Sequence, residues 1–570
     1  MSEIRLRKLK IENYRSFKDA QIFEFPDETY LKPISIVGYN NSGKTNMMNA
    51  ILYGIGEKYI SEKTFEKTDL HNLHLENSIE IRTRIQATPY GRNQYGEKTI
   101  AGDYRISTSV VENEIKSTID KSFFGANKHY NIFYINFHNI KSEISTKKTS
   151  WGKLASFLAK HIQKIVDTDE GMLVKKEAFK AATKTATDQV LNDSNLSRFI
   201  TEIKDNYSKN LRDNNCEVEF GLPDYEDIFL QMTFRIGLNG NNENLVPIEH
   251  FGDGYISMFV MAVIQAIAES NAEDKCLFLF EEPESFLHEN HQEYFYKMVL
   301  CQLAEKGHQV IYTTHSDKMV DIFDTKSIIR IDFDENEYKT IKKYNNIESF
   351  EPEENIISLA NFNSFIKSVE PNLNKILFSR KIVLVEGPND LLAYNYAIEK
   401  KVNEIVADLK YSKSYLNFQN ISIIAHHGKS TAYLLIQLCK HFGLDYFVIN
   451  DWDFEENFIL QLKEFETLEE LKASPLYLES NGIERNSNQK SMITTNWQLI
   501  KQSELDKIHF NIPKLESVIG YNSDNKNSIG IWQRMENLEE IPLNFFPEKL
   551  VDFLELNRLN EVDNNDDLPF

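Results

Sequence analysis

The segment at residues 34–45 constrains the fold more than any other, because it joins a short apolar strand to a helix through a loop bounded by glycines. Its sequence, ISIVGYNNSGKT, contains the pattern G-x-x-x-x-G-K-T. In such a loop successive backbone N–H groups face the oxygens of a polyphosphate, and the start of the helix adds positive potential. The alternative is an ordinary surface turn rich in glycine and asparagine, which the matching strand and helix make the weaker interpretation. The segment therefore predicts a nucleotide-phosphate site.

The predicted phosphate-binding residues all lie in this loop and in the first turn of its helix. We expect Lys44 to contact the β- and γ-phosphates and the Thr45 hydroxyl to hold Mg²⁺. The full predicted set is Gly38, Asn40, Asn41, Ser42, Gly43, Lys44, Thr45 and Asn46.

Length and charge set the boundaries for the rest of the chain. A chain of 570 residues, 41% of them hydrophobic, is long enough for two to four domains with their own cores. A net charge of −22 argues against a uniformly basic surface that coats DNA, but leaves room for a local basic groove or an acidic metal site. The four cysteines form no C-x-x-C pair, so neither a zinc site nor a disulfide framework is indicated. With a charged N-terminus and no long apolar run, we expect a cytoplasmic protein that does not contact membranes.

Two acidic residues follow a second apolar strand at residues 276–280. Glu281 is expected to hold the water shell of a nucleotide-bound Mg²⁺, and Glu282 to orient or deprotonate the attacking water. Another strand, at residues 308–313, leads to His315, which would lie at the end of a parallel strand and sense a γ-phosphate. A lone histidine is usually structural, but its place in this order of motifs favours the functional interpretation.

The segment Gly252-Asp253-Gly254 opens a long apolar helix that extends to Glu269. Backbone N–H groups at such a helix start bind anions. Its position just before the strand that ends in Glu281 resembles the signature region of the ABC/SMC-type ATPases. The resemblance implies that ATP is sandwiched between the heads of two chains, with residues 252–254 closing on the partner's nucleotide. The usual Leu-Ser-Gly-Gly is absent, and Glu281 stands where the family has aspartate.

We assign residues 1–345 to this ATPase domain, and residues 144–214 to a helical insertion within it. The insertion is the most basic area of the chain, with lysines at 147, 148, 153, 175, 176, 180 and 184. A solvated helical face, a DNA-facing surface and a dimerisation arm are all compatible with this pattern. We favour the dimerisation arm.

Acidic residues also follow two strands of the C-terminal block, after a linker at residues 346–378. Glu386 follows an apolar strand at residues 381–385, in the pattern E-G-x-x-D that ends at Asp390. Asp451 and Asp453 follow another strand at residues 446–450, and a third strand lies at 421–425 between them. Parallel strands deliver such residues to one carboxyl edge, where ligand sites of open α/β sheets lie. Hard oxygen ligands of this kind suit Mg²⁺ or Mn²⁺.

The residues Glu386, Asp390, Asp451 and Asp453, on these strands and in this order, resemble the Toprim domain of topoisomerases, primases and certain nucleases. The alternative is a flavodoxin-like domain whose acids merely cap strands. An ABC-type ATPase half followed by a Toprim half resembles the OLD (overcoming lysogenisation defect) family of nucleases. The fold class is therefore predicted as α/β, with an ABC/SMC-like ATPase head, its helical insertion, and a parallel Toprim domain at residues 379–570.

The OLD resemblance implies an ATP-binding and ATP-hydrolysing, Mg²⁺- or Mn²⁺-dependent DNA endonuclease that acts in defence against phage. It implies that ATP controls access of DNA to the Toprim edge, that the chain forms a homodimer or a larger assembly, and that a late acid and a late lysine complete the site. Glu516 and Lys549 are our predictions for these two residues. A retron reverse transcriptase with its RNA–DNA product is a further predicted partner.

Three other functions compete with this one. The first is a non-cleaving, SMC-like DNA sensor or scaffold with a degenerate Toprim fold. The second is a topoisomerase or a primase. A topoisomerase is disfavoured because the chain leaves no room for a strand-passage domain of typical size, and a primase because the cysteines form no zinc module. The third is an ATPase that drives a partner without any role for DNA.

Overall fold

The computed structural model describes residues 3–88, 100–111, 114–121, 132–143, 166–167, 169–192, 195–210, 235–237, 245–270, 275–352, 359–480, 482–522 and 527–559. The chain separates into two compact units. The first comprises Met1–Arg5, Gln86–Ile100 and Gly125–Thr313, and the second comprises Leu6–Ile85, Ala101–Phe124 and Thr314–Phe570. No helix within the described ranges is long and apolar enough to cross a membrane.

Strands and α-helices occur throughout the described chain. The strands are β1 (Glu3–Glu12), β2 (Gln21–Glu24), β3 (Ile34–Val37), β4 (Glu80–Thr88), β5 (Ile100–Val111), β6 (Glu114–Lys121), β7 (Ile132–Asn136), β8 (Arg235–Gly237), β9 (Leu245–Pro247), β10 (Leu277–Glu281), β11 (Gln309–Thr314), β12 (Ile328–Asp334), β13 (Lys339–Tyr344), β14 (Lys381–Val385), β15 (Ile421–Ala425), β16 (Asp445–Asp451), β17 (Glu479–Ser480), β18 (Ile483–Glu484) and β19 (Ile508–Asn511). The α-helices are α1 (Lys44–Gly54), α2 (Ile140–Glu143), α3 (Glu170–Asn192), α4 (Asn195–Asn210), α5 (Asp253–Ser270), α6 (Glu289–Phe295), α7 (Gln302–Glu305), α8 (Leu359–Val369), α9 (Pro388–Val406), α10 (Leu409–Phe418), α11 (Lys429–His441), α12 (Ile459–Glu464), α13 (Leu468–Ala473), α14 (Pro475–Leu478), α15 (Ser487–Ser503), α16 (Leu515–Val518), α17 (Ser528–Glu536) and α18 (Glu548–Phe553).

A five-stranded sheet of order β2-β1-β4-β5-β6 opens the second unit. β1 pairs antiparallel with β2, and β5 pairs antiparallel with β6. The alternation of apolar and basic residues at 4–11 predicts an edge-facing strand. The strand is present as β1 and its apolar residues are buried, but it lies between β2 and β4 and is not at the edge of the sheet. The sequence also predicts a strand at residues 20–25, and its alternating apolar residues predict strands at 79–87 and 104–110. All three are confirmed, as β2, β4 and β5. β6, whose sequence EIKSTIDK is mostly polar, has no counterpart in the prediction.

The nucleotide loop predicted from the sequence follows β3 in the second unit. β12 lies between β3 and β13, parallel to β3 and antiparallel to β13. All four residues of β3 are buried. The loop then leads directly into α1, whose first residue is Lys44. The predicted order of strand, loop and helix is confirmed.

Three parallel strands form the part of the first unit that carries the acid pair. β10 lies between β7 and β11 and runs parallel to both. Its five residues are all buried, as expected for a central strand of a parallel sheet. Glu281, the last residue of β10, is in register with Asn136 of β7 and Thr313 of β11. The carboxyl ends of all three strands therefore meet at one edge.

The C-terminal sheet of the second unit has the order β15-β14-β16-β19, with every pair parallel. Successive residues of β14 enter two different apolar clusters, Ile382 and Leu384 on one face, Val383 and Val385 on the other. Helices α11 and α15 cover the first face, and α9 and α17 cover the second. The parallel sheet with helices on both faces that the sequence predicts for the C-terminal block is therefore present, with β19 as an additional strand.

The segments between these sheets only partly overlap the described residues. Within the insertion the sequence predicts helices at residues 174–191 and 196–211, and α3 and α4 confirm them. Helix α8 lies inside the segment predicted as a linker. The sequence also predicts a helix over 154–165, a hairpin loop at 89–98 and strands at 217–220 and 228–236. The first three of these segments, and most of the fourth, lie outside the described residues.

Candidate functional site

The loop after β3 has the chemistry of a phosphate cradle. Lys44 is buried, and its Nζ donates to the carbonyl oxygens of Gly38 at 2.9 Å and Tyr39 at 3.0 Å. Its ammonium thus lies inside the curve of the loop. The Ser42 hydroxyl is also buried and has no hydrogen-bond partner in the described part of the chain. A buried lysine and an orphaned hydroxyl in one loop suit a bound phosphate group.

Both glycines of the loop are required by their surroundings. Gly43 has φ +98°, and a Cβ added there would lie 2.5 Å from Thr340 Oγ1. A Cβ on Gly38 would lie 2.2 Å from the carbonyl oxygen of Ile331. Any other residue would therefore displace the loop from β12 and β13.

The other predicted residues of this loop differ in their surroundings. Asn40, Asn41 and Thr45 are exposed. Asn46 instead donates from Nδ2 to Ser16 Oγ at 2.9 Å and accepts from Arg15 at 3.4 Å. Asn46 thus holds the β1–β2 turn beside the loop.

The acid pair of the first unit is set in a hydrogen-bonded network. Glu281 is buried and accepts from the Tyr134 hydroxyl at 2.6 Å and from Asn136 Nδ2 at 3.0 Å. Glu282 has φ +47°, and its Oε2 lies 2.5 Å from His138 Nε2. The sequence alone does not reveal these partners, because Tyr134, Asn136 and His138 lie 147, 145 and 144 residues before the acids they contact. β7 brings them to the same edge as β10.

The remaining predicted residues of the ATPase domain lie at helix or strand ends. Asp253 is the first residue of α5, next to Gly252 and Gly254, and its Oδ1 lies 3.1 Å from Lys141 Nζ. His315 follows β11 directly and is half-buried.

The C-terminal acids meet at the carboxyl edge of the adjacent strands β14 and β16. The Asp451 N–H donates to Glu386 Oε2 at 3.0 Å, which ties the two predicted metal ligands together. Asp451 Oδ1 accepts from the backbone N–H of Leu515 at 2.8 Å. Asp390 Oδ2 accepts from the Gly387 N–H at 3.1 Å, while its Oδ1 is buried without a hydrogen-bond partner among the described residues.

The electrostatics of this edge favour a cation. Burial, and then the charge of Glu386, raise the pKa of Asp451 from 3.8 to about 7. Burial and the charges of Asp451 and Glu386 also raise the pKa of Asp390 well above its ordinary value. Carboxylates that disfavour each other's ionised form are stabilised together by a divalent ion.

The residues present fit Mg²⁺ or Mn²⁺ by donor chemistry and by the orphaned oxygen of Asp390. No three His, Cys, Asp or Glu side chains in the described ranges already converge as a metal cage.

Two further predicted residues lie around this edge, and one does not. The Asp453 N–H donates to the carbonyl oxygen of Pro513 at 2.8 Å, and its Oδ2 lies 2.5 Å from Lys429 Nζ. Glu516 is buried just after β19, and its charge helps to raise the pKa of Asp451. Lys549 instead donates to the carbonyl oxygens of Leu505 and Ile508, at the amino end of β19. The structure therefore does not bring Lys549 to the edge that carries the acids.

Comparison with known proteins places this geometry in a family context. The profile of the AAA ATPase domain matches residues 103–320, and that of the overcoming lysogenization defect protein-like TOPRIM domain matches residues 377–453. The chain is 25% identical to the Old nuclease of Escherichia phage P2, over 80% of this chain and 78% of the relative. It is 23% identical to the OLD nuclease of Thermus scotoductus, over 79% of this chain and 82% of the relative. It is 21% identical to the endonuclease GajA of Bacillus cereus, over 72% of this chain and 69% of the relative.

These matches confirm the predicted combination of an ATPase domain with a TOPRIM domain of the OLD type. Domains of these two kinds imply the use of a nucleotide and of a divalent metal.

Proposed function

We propose that this chain, an ATPase domain joined to an OLD-like TOPRIM domain, is an endonuclease that cleaves DNA with Mg²⁺ or Mn²⁺ under the control of ATP. One observation carries the proposal: Glu386, Asp451 and the orphaned oxygen of Asp390 stand together at the carboxyl edge of β14 and β16. An oxygen-rich edge of this kind can bind a divalent ion beside a phosphodiester.

The chain's own residues divide the work at this edge. Glu386, Asp451 and Asp390 would hold the ion. The charges of Asp453 and Glu516 also help to raise the pKa of Asp451, so both carboxylates lie near enough to assist. The Leu515 N–H fixes the orientation of the Asp451 carboxylate. When bound, the ion would supply Lewis acidity and a water of lowered pKa. The same fixed carboxylates would exclude the negatively charged backbone of DNA from the edge until a cation is present.

The ATPase domain would bind ATP through residues 38–45, with Lys44 on the phosphates and Thr45 on Mg²⁺. Glu281 would hold the water shell of Mg²⁺, Glu282 would orient the attacking water, and His315 would sense the γ-phosphate. In a homodimer, residues 252–254 would close on the partner's nucleotide. We propose that ATP bound in this way alters access of DNA to the TOPRIM edge.

The test is cleavage of supercoiled and linear DNA by the full chain in Mg²⁺ or Mn²⁺, with and without ATP. Glu386→Gln should abolish cleavage, and Lys44→Ala should abolish its dependence on ATP. Glu464→Gln, at an exposed position of α12, is the matched carboxylate-to-amide control and should cleave like the wild type. Cleavage that survives Glu386→Gln would refute the proposal. DNA binding without any cleavage would favour a non-cleaving sensor instead.

We also propose that cleavage serves defence against phage, the role that the OLD resemblance implies. Bacteria that express the wild-type chain should then resist phage infection, and bacteria that express Glu386→Gln should not. Equal plating of phage on both strains would contradict this role. A retron reverse transcriptase with its RNA–DNA product is the proposed additional partner, and co-purification of the expressed chain from its native host tests it.

A further inference from the structure

Lys429 holds a position at the TOPRIM edge that the reaction outlined above does not use. It is the first residue of α11, directly after the turn that follows β15. Its Nζ lies 2.5 Å from Asp453 Oδ2, which belongs to the segment after β16. Since β15 and β16 both neighbour β14, the side chain reaches across the end of the strand that leads to Glu386. A lysine ammonium thus stands among the predicted metal ligands.

The backbone fixes the base of this lysine beside Glu386. The N–H of His426 donates to the carbonyl oxygen of Val385 at 2.8 Å, and that of His427 donates to the carbonyl oxygen of Glu386 at 3.0 Å. Gly428 follows with φ +126°, and a Cβ added there would meet no atom of the described residues within 4 Å. The turn is therefore anchored on its β14 side and open in front of Gly428, where a ligand can approach.

The environment of Lys429 is unusual for a surface ion pair. The lysine side chain is only 10% exposed, whereas Asp453 is 32% exposed. Withdrawing an ammonium from water is costly unless it is paired, and exposed pairs contribute little to stability. Asp453 is also a predicted metal ligand, so a cation at this edge would compete with Lys429 for the same carboxylate.

We propose that Lys429 is a catalytic residue of the TOPRIM edge, which exchanges Asp453 for the scissile phosphate of DNA when the metal binds. The inference rests on the proposed nuclease function. The ammonium then faces a non-bridging oxygen of the phosphate, as lysine does at other phosphate sites, and stabilises the charge that develops there. In the hydrolysis one water adds across the ester: its oxygen forms a bond to phosphorus, the P–O ester bond breaks, and its hydrogen ends on the leaving oxygen. Lys429 contributes charge and forms no covalent bond.

Two measurements on Lys429→Met separate this role from a purely structural one. Binding of Mn²⁺ by the full chain, followed by calorimetry in the absence of DNA, should become several-fold tighter, because methionine no longer competes for Asp453. Cleavage of DNA at saturating Mn²⁺ should fall by about 10²- to 10³-fold in kcat, the usual effect of removing one group that stabilises transition-state charge. Lys440→Met, in the last turn of the same helix and exposed, is the control and should change neither quantity.

A structural salt bridge predicts a different pattern. If Lys429 only holds Asp453, its loss should weaken Mn²⁺ binding and cleavage together, and that result would overturn the proposal, as would unchanged cleavage. If Lys429→Met does not fold, Lys429→Arg is measured instead. This variant should bind Mn²⁺ with an affinity near that of the wild type and cleave DNA with a lower kcat and an unchanged KM. Loss of Mn²⁺ binding in Lys429→Arg would overturn the proposal. Failure of the wild type to cleave would refute the nuclease function, while the Mn²⁺ comparison would still decide whether Lys429 competes with the metal.

Discussion

Replacing Asp451 by asparagine should make the metal-free protein more stable while it destroys the metal site. Burial and the charge of Glu386 raise the pKa of the Asp451 carboxyl from 3.8 to about 7. Because one pKa unit corresponds to about 1.4 kcal/mol, keeping this carboxylate ionised in the folded state costs about 4 kcal/mol at pH 8. Asparagine is uncharged and still offers an oxygen to the Leu515 N–H. The gain from Asp451→Asn is therefore at most about 4 kcal/mol.

The sign of this effect fixes its dependence on pH. The folded protein binds a proton at Asp451 more tightly than the unfolded chain does, so stability falls as pH rises from about 4 through about 7. The advantage of Asp451→Asn should accordingly be absent at pH 4 and complete at pH 8. Denaturant unfolding of chelator-treated protein at both pH values measures it, with Glu464→Gln as a control that should change stability by less than about 0.5 kcal/mol.

Addition of Mn²⁺ should reverse the order of stability. A ligand that binds only the folded state stabilises it in proportion to the logarithm of its concentration over Kd. The wild type should gain stability with Mn²⁺, and Asp451→Asn should gain little. A metal-free Asp451→Asn protein that is less stable than the wild type at pH 8 would refute the reasoning.

Three further predictions concern other parts of the chain. Burial, with a nearby lysine, lowers the pKa of His509 to about 4. The neutral ring therefore contributes its full stability above pH 6.5, and the protein loses about 3 kcal/mol of stability as pH falls towards 4. His509→Gln should remove this acid sensitivity in unfolding experiments. Gly43→Ala should abolish binding of a fluorescent ATP analogue and cost about 2 kcal/mol or more of stability, because a Cβ at φ +98° meets Thr340 at 2.5 Å. Glu282→Gln should retain ATP binding and lose ATP turnover, and His138→Ala should lower turnover because its ring holds the Glu282 carboxylate.

Each of these has its own control and contrary result. Gly56 also has a positive φ, of +74°, but a Cβ there would meet no atom within 4 Å in the part of the chain that the structure describes, so ATP binding should survive in Gly56→Ala. Equal loss of binding in both glycine variants would contradict the steric argument. If His509→Gln loses as much stability in acid as the wild type, the prediction for His509 is wrong. Full ATP turnover in Glu282→Gln would contradict the role given to Glu282.

The parts of the fold that could be predicted are those written in contiguous sequence. β14 and β16 contain apolar runs, at residues 382–385 and 446–449, shortly before their acids. Parallel strands buried on both faces need such runs, and they deliver the residues after them to one edge. The nucleotide loop is predictable for the same reason, since its glycines, lysine and helix start lie within a few residues.

The features that were missed depend on contacts between distant segments. β19 reads IHFN, and its histidine and asparagine conceal a buried strand, although this strand leads to the N–H of Leu515 that orients Asp451. His138 meets Glu282 only because β7 pairs with β10. The proximity of Lys429 and Asp453 follows from the strand order β15-β14-β16, which the sequence does not encode locally.

The central claim is that Glu386, Asp390 and Asp451 form the metal site of the TOPRIM domain. Anomalous scattering from crystals of the full chain soaked in Mn²⁺ tests it most directly. The account predicts a peak about 2.0–2.5 Å from carboxylate oxygens of Glu386 and Asp451, and its loss in Asp451→Asn. A peak elsewhere in the chain, or no peak at this edge at Mn²⁺ concentrations that support cleavage, would contradict the account.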